Sequence, residues 1–281
     1  LLPPGAVRTD APAALAASGD GTRPARVSTG GDQLEADLVV GADGVNSRVR
    51  GALFPAHPGP VYAGFTTWRI LIPVPGAEFA SHETWGRGRI WGTHPLKDGR
   101  VYAYAAATAA AGERAPDDER SELLRRYGDW HDPIPAVLAA ARPEDVLRHD
   151  VHHIAEPLPA YHFARVALLG DAAHAMPPTL GQGGNQAIED AVVLAHHSRD
   201  LPAYTAARLP RTTALARRAV STARLDLAGN RAVVAVRNTA VAALSKAGPA
   251  LLLRGFDGIA DWRPPYAAGE GQAGERNRES T

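Results

Sequence analysis

The sequence contains no cysteine, and this absence excludes several kinds of chemistry at once. A disulfide framework, a thiolate metal site and a thiol nucleophile all require cysteine. Net charge is lacking as well: thirty basic residues balance thirty acidic ones, so no overall field attracts nucleic acid or an acidic membrane. We therefore expect small-molecule chemistry in the reducing cytoplasm, without nucleic-acid or membrane partners.

A targeting segment is also missing from the start of the sequence. The first residues, LLPPGAVRTD, have no initiator Met, no basic segment and no long apolar run. They match neither a signal peptide nor a membrane span. We expect that this sequence is entered partway through a longer protein.

The 281 residues are enough for one large domain or two, and 45% of them are hydrophobic. Apolar segments at residues 38–40 and 165–169 each end in glycine and predict buried strands. Short β-rich stretches between residues 61 and 108 predict an antiparallel sheet in a middle domain. Helical spacing follows at residues 117–130, at 186–197 and from 203 to about 247. The sequence thus predicts a mixed α/β fold with C-terminal helices.

The first candidate site is the segment DLVVGADGVNSRVR, at residues 37–50. Asp43 follows the carboxyl end of an apolar strand, where open α/β sheets bind their ligands, and Gly44 permits a close backbone approach. Asn46 or Ser47 would cap the next helix, whose positive end would face an anionic ligand. An ordinary strand-turn-helix corner is an equally good interpretation of this segment alone.

The second candidate site is more specific and comprises RVALLGDAAHAMPPTLGQGGNQAIED, at residues 165–190. Asp171 follows the strand directly, where its carboxylate can accept hydrogen bonds from a sugar-like polyol. A rigid Pro177-Pro178 turn then leads to a glycine-rich stretch and to a helix that begins near Asn185. Free backbone N–H groups at that helix start favour a ligand with negative charge.

Together, GADGVNSR and GDAAHAMPPTLGQGGNQAIEDA resemble the DG and GD motifs of the flavoprotein aromatic hydroxylases. This family includes the para-hydroxybenzoate, salicylate and urate hydroxylases. The resemblance covers roughly residues 25 to 200, and the order and separation of the motifs also agree. It implies an FAD-dependent monooxygenase that uses NAD(P)H and dioxygen to hydroxylate an aromatic or similar electron-rich ring.

The resemblance assigns roles to individual residues. Asp171 would bind the ribityl hydroxyls of FAD, Pro178 would lie beside the ring where oxygen reacts, and Asp43 would lie near the pyrophosphate and the NAD(P)H path. Five further residues would line the pyrimidine edge of the flavin: Gly181, Gln182, Gly183, Gly184 and Asn185. Gly44 belongs to the same cofactor-binding set. The family's GxGxxG segment does not occur in this sequence.

The resemblance also implies a domain organisation: an incomplete FAD-binding, Rossmann-like domain with an inserted substrate domain. The expected parts are a partial FAD-binding domain at 1–55, a substrate-binding sheet domain at 56–153, the continued FAD-binding domain at 154–200, C-terminal helices at 201–263, and a disordered tail at 264–281. The middle sheet would cover the substrate pocket.

Arg69, in the stretch TTWRILIP, is our candidate for orienting an acidic or phenolate substrate. Its guanidinium can grip a planar oxyanion with two hydrogen bonds. A surface-strand arginine paired with a neighbouring acid is the competing interpretation. Five more residues lie on the same predicted sheet, where aromatic side chains more often serve packing: His82, Trp85, Trp91, Tyr102 and Tyr104.

Other clusters receive structural interpretations. His149 and His153 would share one strand face while His152 points away, so we expect no zinc site. His174 follows the GD motif, and we interpret it as a structural hydrogen-bonding residue rather than a catalytic base. Six arginines are interpreted as a solvated helix face: Arg208, Arg211, Arg217, Arg218, Arg224 and Arg231.

Two rival functions stay open at this point. The motifs report the cofactor and not the substrate, so they do not separate an aromatic hydroxylase from an FAD-dependent epoxidase of a non-aromatic ring. They also allow a catalytically silent fragment or a flavin-free binding protein, since the first βαβ unit is not in this sequence. Substrate identity, the choice between NADH and NADPH, and oligomeric state are not determined by the motifs.

A first prediction concerns the GxGxxG segment. Without that strand, turn and helix, the cofactor would lose its adenine-side contacts and the sheet would lose part of its core. We expect the 281 residues expressed alone to retain little FAD and to show no hydroxylase activity, and an upstream segment to restore both. Flavin absorbance and substrate turnover of the purified protein measure this. Stoichiometric flavin with coupled turnover would contradict it.

Overall fold

In this computed structural model the described residues are 2–74, 76, 79–246, 258–259 and 261–265. They divide into two units. The first unit comprises the described residues up to Val61, His153–Ala219 and those from Gly258 onward. The second unit comprises Tyr62–His152 and the described residues from Val220 to Lys246.

Eleven strands form three sheets in the described part of the chain. The strands are β1 (Ala13–Ala17), β2 (Ala25–Thr29), β3 (Asp32–Ala36), β4 (Val39–Gly41), β5 (Pro60–Pro73), β6 (His82–Trp85), β7 (Arg89–Pro95), β8 (Arg100–Thr108), β9 (Val146–Ile154), β10 (His162–Phe163) and β11 (Val166–Leu168). The sheet orders are β1-β2-β3, β10-β11-β4 and β6-β7-β8-β5-β9.

Seven α-helices occur within the same residues. They are α1 (Arg48–Leu53), α2 (Glu119–Tyr127), α3 (Ile134–Ala140), α4 (Asp171–His174), α5 (Gly183–His196), α6 (Leu201–Asp226) and α7 (Arg231–Lys246). Short 3-10 turns cover Pro143–Asp145 and Pro178–Leu180. The predicted mixed α/β fold with antiparallel sheets and C-terminal helices is confirmed. The predicted disordered tail, 264–281, lies outside the described residues except for its first two prolines.

The first unit contains the pairing that brings the two motifs together. β4 and β11 run parallel, with Val39 opposite Val166 and Gly41 opposite Leu168. Gly41 leaves no room for a side chain, because a Cβ atom there would lie 2.8 Å from Val49 Cγ1. A core under these strands includes Leu168, Ala172, Val193, Leu194 and Tyr204.

The second unit is built on the five-stranded antiparallel sheet. Alternation along β5 buries Trp68, Ile70 and Ile72 on one face, where they pack with residues of α2 and α3 such as Tyr127 and Leu138. Arg69 is exposed and lies on the opposite face.

Among the helices that the structure describes, none has the length and apolar character needed to cross a membrane.

Local differences from the sequence predictions have simple causes. The helix predicted at 117–130 is observed at Glu119–Tyr127, and Asp118, one of the two expected cap residues, is its N-cap and accepts a hydrogen bond from the Ser121 amide at 2.9 Å. Strand β1 was missed because AALAA has no alternating pattern, and its conformation depends on pairing with β2. Helix α5 begins at Gly183, two residues before the predicted start.

Candidate functional site

The DG and GD motifs meet at one edge of the parallel strand pair. β4 ends at Gly41 and β11 ends at Leu168, and these two residues are directly opposite each other. The Leu169 amide continues the pairing by donating to the Gly41 carbonyl at 3.0 Å. Asp43 and Asp171 therefore follow the carboxyl ends of adjacent parallel strands, which is where α/β sheets bind ligands.

Asp43 caps helix α1 with both of its carboxylate oxygens. Oδ1 accepts from the Ser47 hydroxyl at 2.5 Å, and Oδ2 accepts from the amides of Arg48 at 2.8 Å and Val49 at 3.1 Å. Burial raises the pKa of Asp43, but the hydrogen bonds from Ser47 and the backbone outweigh it, and the net shift is downward. The positive end of α1 thus faces Asp43 itself.

Ser47 is the N-cap of α1, as one of the two sequence alternatives predicted. Its hydroxyl oxygen accepts a hydrogen bond from the Arg50 amide at 2.9 Å. Gly44 has a φ of 79°, which favours glycine, and a Cβ atom at this position would meet nothing within 4 Å. The DG turn is therefore fixed by its own side chains and is open to solvent at Gly44.

Arg50 joins the two motifs, and sequence reasoning gave it no role. Its side chain is buried, and it donates to the Ala172 carbonyl at 3.0 Å and to the Val45 carbonyl at 2.7 Å. Burial lowers the pKa of Arg50, against the raising effect of Asp43. Its position at the end of the DG segment was visible in the sequence, but its partner 122 residues away was not.

Asp171 begins the four-residue helix α4, immediately after a turn at Gly170 that has a positive φ. Gly170 has a φ of 61° and a ψ of −136°, and its carbonyl accepts from the amides of Ala173 and His174, both at 2.9 Å. Asp171 is exposed, and its carboxylate has no hydrogen-bond partner in the described part of the chain. This carboxylate is available to a ligand.

The start of α5 lies beside Asp171. A Cβ atom added to Gly183 would be 3.9 Å from Asp171 Oδ1, whereas one added to Gly181 or Gly184 would meet nothing within 4 Å. Gln182 is the N-cap residue, and its side chain makes no capping hydrogen bond. Open space therefore surrounds a helix N-terminus whose backbone donors are not satisfied by a side chain.

Pro178 and Asn185 lie on either side of the glycine-rich segment Gly181–Gly184 in the sequence. Pro178 is exposed and begins the 3-10 turn, while Pro177 before it is buried. The Gly181 amide closes the turn on the Pro178 carbonyl at 2.9 Å, and Gly181 has a φ of 62°. The Asn185 side chain donates to the Gly181 carbonyl at 3.3 Å. The Pro178 turn thus leads directly into the glycine-rich start of α5.

His174 and Asp190 lie beneath the GD turn. His174 Nε2 is 2.6 Å from Asp190 Oδ2, which confirms the interpretation of His174 as a hydrogen-bonding structural residue. Arg208 Nε donates to the other Asp190 oxygen at 2.7 Å and is 1% exposed. The prediction that Arg208 belongs to a solvated helix face is wrong, because its guanidinium is neutralised by buried carboxylates.

The donor and acceptor set suits a nucleotide cofactor. An exposed carboxylate can accept from polyol hydroxyls, and backbone amides at a helix start can donate to carbonyl oxygens or to an anion. The glycines leave room for a ring or a sugar chain to approach the backbone. This arrangement is typical of α/β proteins that bind a dinucleotide at the carboxyl ends of their strands.

Comparison with known proteins identifies the class of dinucleotide. Residues 10–219 match the family described as FAD binding domain, so the chain belongs to that family. The cofactor predicted from the two motifs, FAD, is confirmed by this match. The family assignment made from the DG and GD motifs is confirmed as well.

Two curated relatives illustrate the similarity. The aurachin C monooxygenase/isomerase of Stigmatella aurantiaca is 41% identical over 191 residues, which are 64% of this chain and 49% of the relative. An FAD-dependent urate hydroxylase of Klebsiella pneumoniae is 35% identical over 183 residues, 62% of this chain and 47% of the relative. The chain thus spans about half the length of these curated relatives.

Solved structures show the same fold. Klebsiella pneumoniae HpxO complexed with FAD and uric acid superposes with a TM-score of 0.69 at 29% identity, over 77% of this chain and 59% of that one. A salicylate hydroxylase substrate complex gives a TM-score of 0.68 at 20% identity, over 90% of this chain and 68% of that one. The second similarity supports the fold alone.

A second group of candidate residues lies on the five-stranded sheet of the second unit. Arg69 is directly opposite Tyr104 in the β5–β8 register, so their side chains share a face. His94 stacks on Tyr102 and Tyr104, with ring centroids 6.3 and 5.7 Å apart. Among the described residues, no carboxylate forms an ion pair with Arg69, so the surface ion pair considered as its alternative is not observed.

Gly92 makes room for the Tyr104 ring. A Cβ atom at Gly92 would lie 2.3 Å from Tyr104 Cζ, so the phenol ring lies directly over this part of β7. The Tyr104 hydroxyl and the Trp85 indole both donate to the Glu83 carboxylate. Burial and Glu83 together raise the pKa of Tyr104, so its hydroxyl stays protonated.

The remaining sheet candidates separate by face. Trp91 is fully buried against α2, with its ring 5.3 Å from that of Tyr127, so it serves packing. His82 stacks edge-on with Phe79, away from the Arg69 face.

Throughout the residues that the structure describes, no group of three or more His, Asp or Glu side chains could hold a metal ion.

Asp226, at the end of α6, is a buried acid that sequence reasoning did not identify. It is 4% exposed. Burial, followed by the negative charge of Glu83, raises its pKa to about 6, although Arg237 opposes the shift. Because the folded state binds this proton more tightly than the unfolded state, Asp226 stabilises the fold least where it is ionised.

We predict that Asp226→Asn stabilises the protein in a pH-dependent way. Well below pH 4 the wild-type carboxyl is protonated in both states, so the variant gains nothing. Stability of the wild type should fall between pH 4 and pH 7, and above pH 7 the variant should be more stable by up to roughly 3 kcal/mol. Urea unfolding across this pH range measures the difference. A difference that does not vary with pH would contradict the assignment.

Proposed function

We propose that the protein is an FAD-dependent monooxygenase that hydroxylates an aromatic or similar electron-rich ring, using NAD(P)H and dioxygen. The observation that carries the proposal is the exposed Asp171 carboxylate beside the uncapped start of α5. The family match and the monooxygenase and hydroxylase names of the relatives support it. A cytoplasmic location belongs to the same proposal.

The residues of the first unit would hold the cofactor. Asp171 accepts hydrogen bonds from the ribityl hydroxyls, and the amides from Gly183 to Asn185 donate to the pyrimidine edge. The same amides and the helix dipole stabilise negative charge that develops there. Pro178 would provide a rigid, exposed surface next to the ring of the cofactor. Bound FAD supplies hydride acceptance from NAD(P)H and the activation of dioxygen.

The residues of the second unit would orient the substrate. Arg69 is an exposed cation with no ion-pair partner among the described residues, next to an aromatic group of His94, Tyr102 and Tyr104. Such a surface suits a planar ring that bears a phenolate, carboxylate or carbonyl oxygen. Relatives named for urate, for 3-amino-4-hydroxybenzoate and for a 4(1H)-quinolone are consistent with this class of substrate.

Epoxidation of a non-aromatic ring is the second candidate. A chloroplastic zeaxanthin epoxidase of an Oncidium hybrid cultivar is 33% identical over 180 residues, although only 27% of its length is covered. The unpaired Arg69 favours an oxyanion over an apolar polyene, because burying a lone cation against hydrocarbon is costly. Mass spectrometry of the product distinguishes a hydroxylated ring from an epoxide. A flavin-free protein would show no absorbance in the flavin bands.

We predict that Asp171→Ala weakens FAD binding in the full-length protein. A hydrogen bond to a charged group is worth roughly 1.5–3 kcal/mol, so the dissociation constant should rise at least about tenfold. Flavin fluorescence titration measures the constant. Asp32→Ala, at an exposed strand position of the same unit, is the matched control and should leave it unchanged. An unchanged affinity in a folded Asp171→Ala variant would refute the cofactor assignment.

We predict that Arg69→Ala affects substrate and not flavin. The KM for substrate should rise about tenfold, or NAD(P)H oxidation should become uncoupled from hydroxylation, while FAD content stays near normal. Arg100→Ala is the control, since Arg100 is an exposed arginine on the same sheet whose partner is Asp98. Loss of FAD from Arg69→Ala, or kinetics equal to those of Arg100→Ala, would support a purely structural role.

A further inference from the structure

One buried carboxylate holds both ends of the turn that carries Asp171. Asp190 is fully buried in α5, and its Oδ2 atom accepts from the Gly170 amide at 2.9 Å. The same oxygen is 2.6 Å from His174 Nε2. Gly170 directly precedes α4 and His174 is its last residue. Asp190 therefore fixes the residues on both sides of Asp171 through a single atom.

Arg208 fixes Asp190 in turn. Its Nε atom donates to Asp190 Oδ1 at 2.7 Å, and its Nη1 atom donates to Glu189 Oε2 at 2.6 Å. Its Nη2 atom donates to the Gln186 side-chain oxygen at 2.7 Å. One planar guanidinium thus connects the Asp171 turn with the first turns of α5.

The turn has little freedom to move away from α5. A Cβ atom at Gly170 would lie 3.0 Å from the Cβ of Ala187, so the backbone is in close contact with the helix. Its φ of 61° is accessible to glycine at low cost but to few other residues. A shift of α5 would therefore displace the turn, and with it the Asp171 carboxylate.

We propose that Arg208 and Asp190 are a positioning pair that sets the distance between Asp171 and the α5 helix start, and so determines the affinity for FAD. The inference rests on the proposed cofactor site. Neither residue touches the cofactor in this proposal. A buried ion pair adds little net stability compared with apolar packing. A hydrogen-bonded pair does specify one geometry, and a cofactor site formed by both the Asp171 carboxylate and the α5 amides requires a fixed geometry.

The test compares two arginines on the same helix. Arg208→Lys keeps the charge but cannot reach Asp190, Glu189 and Gln186 together. Arg211→Lys is the matched control, because Arg211 also pairs with Glu189, at 2.7 Å, but has no bond to Asp190. Amide hydrogen exchange of the protein without added FAD should become about tenfold faster at residues 170–174 in Arg208→Lys. In Arg211→Lys it should change less than about twofold.

A double-variant cycle then connects the pair to the cofactor. In the full-length protein, Arg208→Lys should raise the FAD dissociation constant about tenfold in the wild-type background, and less than about twofold in the Asp171→Ala background. Equal factors in the two backgrounds would overturn the inference, since Arg208 would then act independently of Asp171. Equal exchange rates in the Arg208 and Arg211 variants would overturn it as well.

A folding defect or an incorrect cofactor site gives a different result. If Arg208→Lys does not fold, His174→Ala replaces it, because it removes one bond to Asp190 and leaves the ion pairs in place. It should accelerate exchange at residues 170–174 without affecting Gln186, and an unchanged rate would contradict the inference. If the full-length wild type binds no FAD, the proposed function fails, and the exchange comparison still decides whether the pair holds the turn.

Discussion

The parallel pairing of β4 with β11 is the constraint on which the cofactor site depends. Only three residues of each strand take part, yet their register places Gly41 beside Leu168. Two motifs that are far apart in sequence therefore begin at the same sheet edge. The buried Arg50 secures the junction by bonding the carbonyl of Ala172. Position 41 requires glycine because the side chains of Val49 and Leu168 approach its backbone closely.

The carboxylates and arginines beneath this edge are paired with one another. Glu189 and Asp190 are matched by Arg208 and Arg211, and each carboxylate oxygen has at least one donor. Burial raises the pKa of Asp190, but His174 and Arg208 outweigh it, so the net shift is downward. The carboxylate thus stays ionised while buried, which lets one residue organise several donors at fixed positions.

The motifs were predictable from sequence because their chemistry is local. Glycine at positive φ, proline in a turn and aspartate after a strand have the same local conformational effect in any fold. Arg208 was misassigned because its burial depends on tertiary packing. A signal was present: Leu201, Tyr204, Thr212 and Leu215 are buried at helical spacing around it, so Arg208 lies within an apolar stripe. An arginine inside such a stripe predicts a buried carboxylate partner.

The same distinction explains why the sequence identifies the cofactor more sharply than the substrate. The FAD motifs consist of backbone turns and helix starts, which short segments determine by themselves. The candidate substrate face depends on strand register: Arg69 meets Tyr104 across β5 and β8, and Tyr104 occupies the space left by Gly92 on β7. A shift of one residue in either pairing would turn these side chains to the other face. The arrangement of the Arg69 face is therefore set by long-range strand pairing, and no short segment of the sequence determines it.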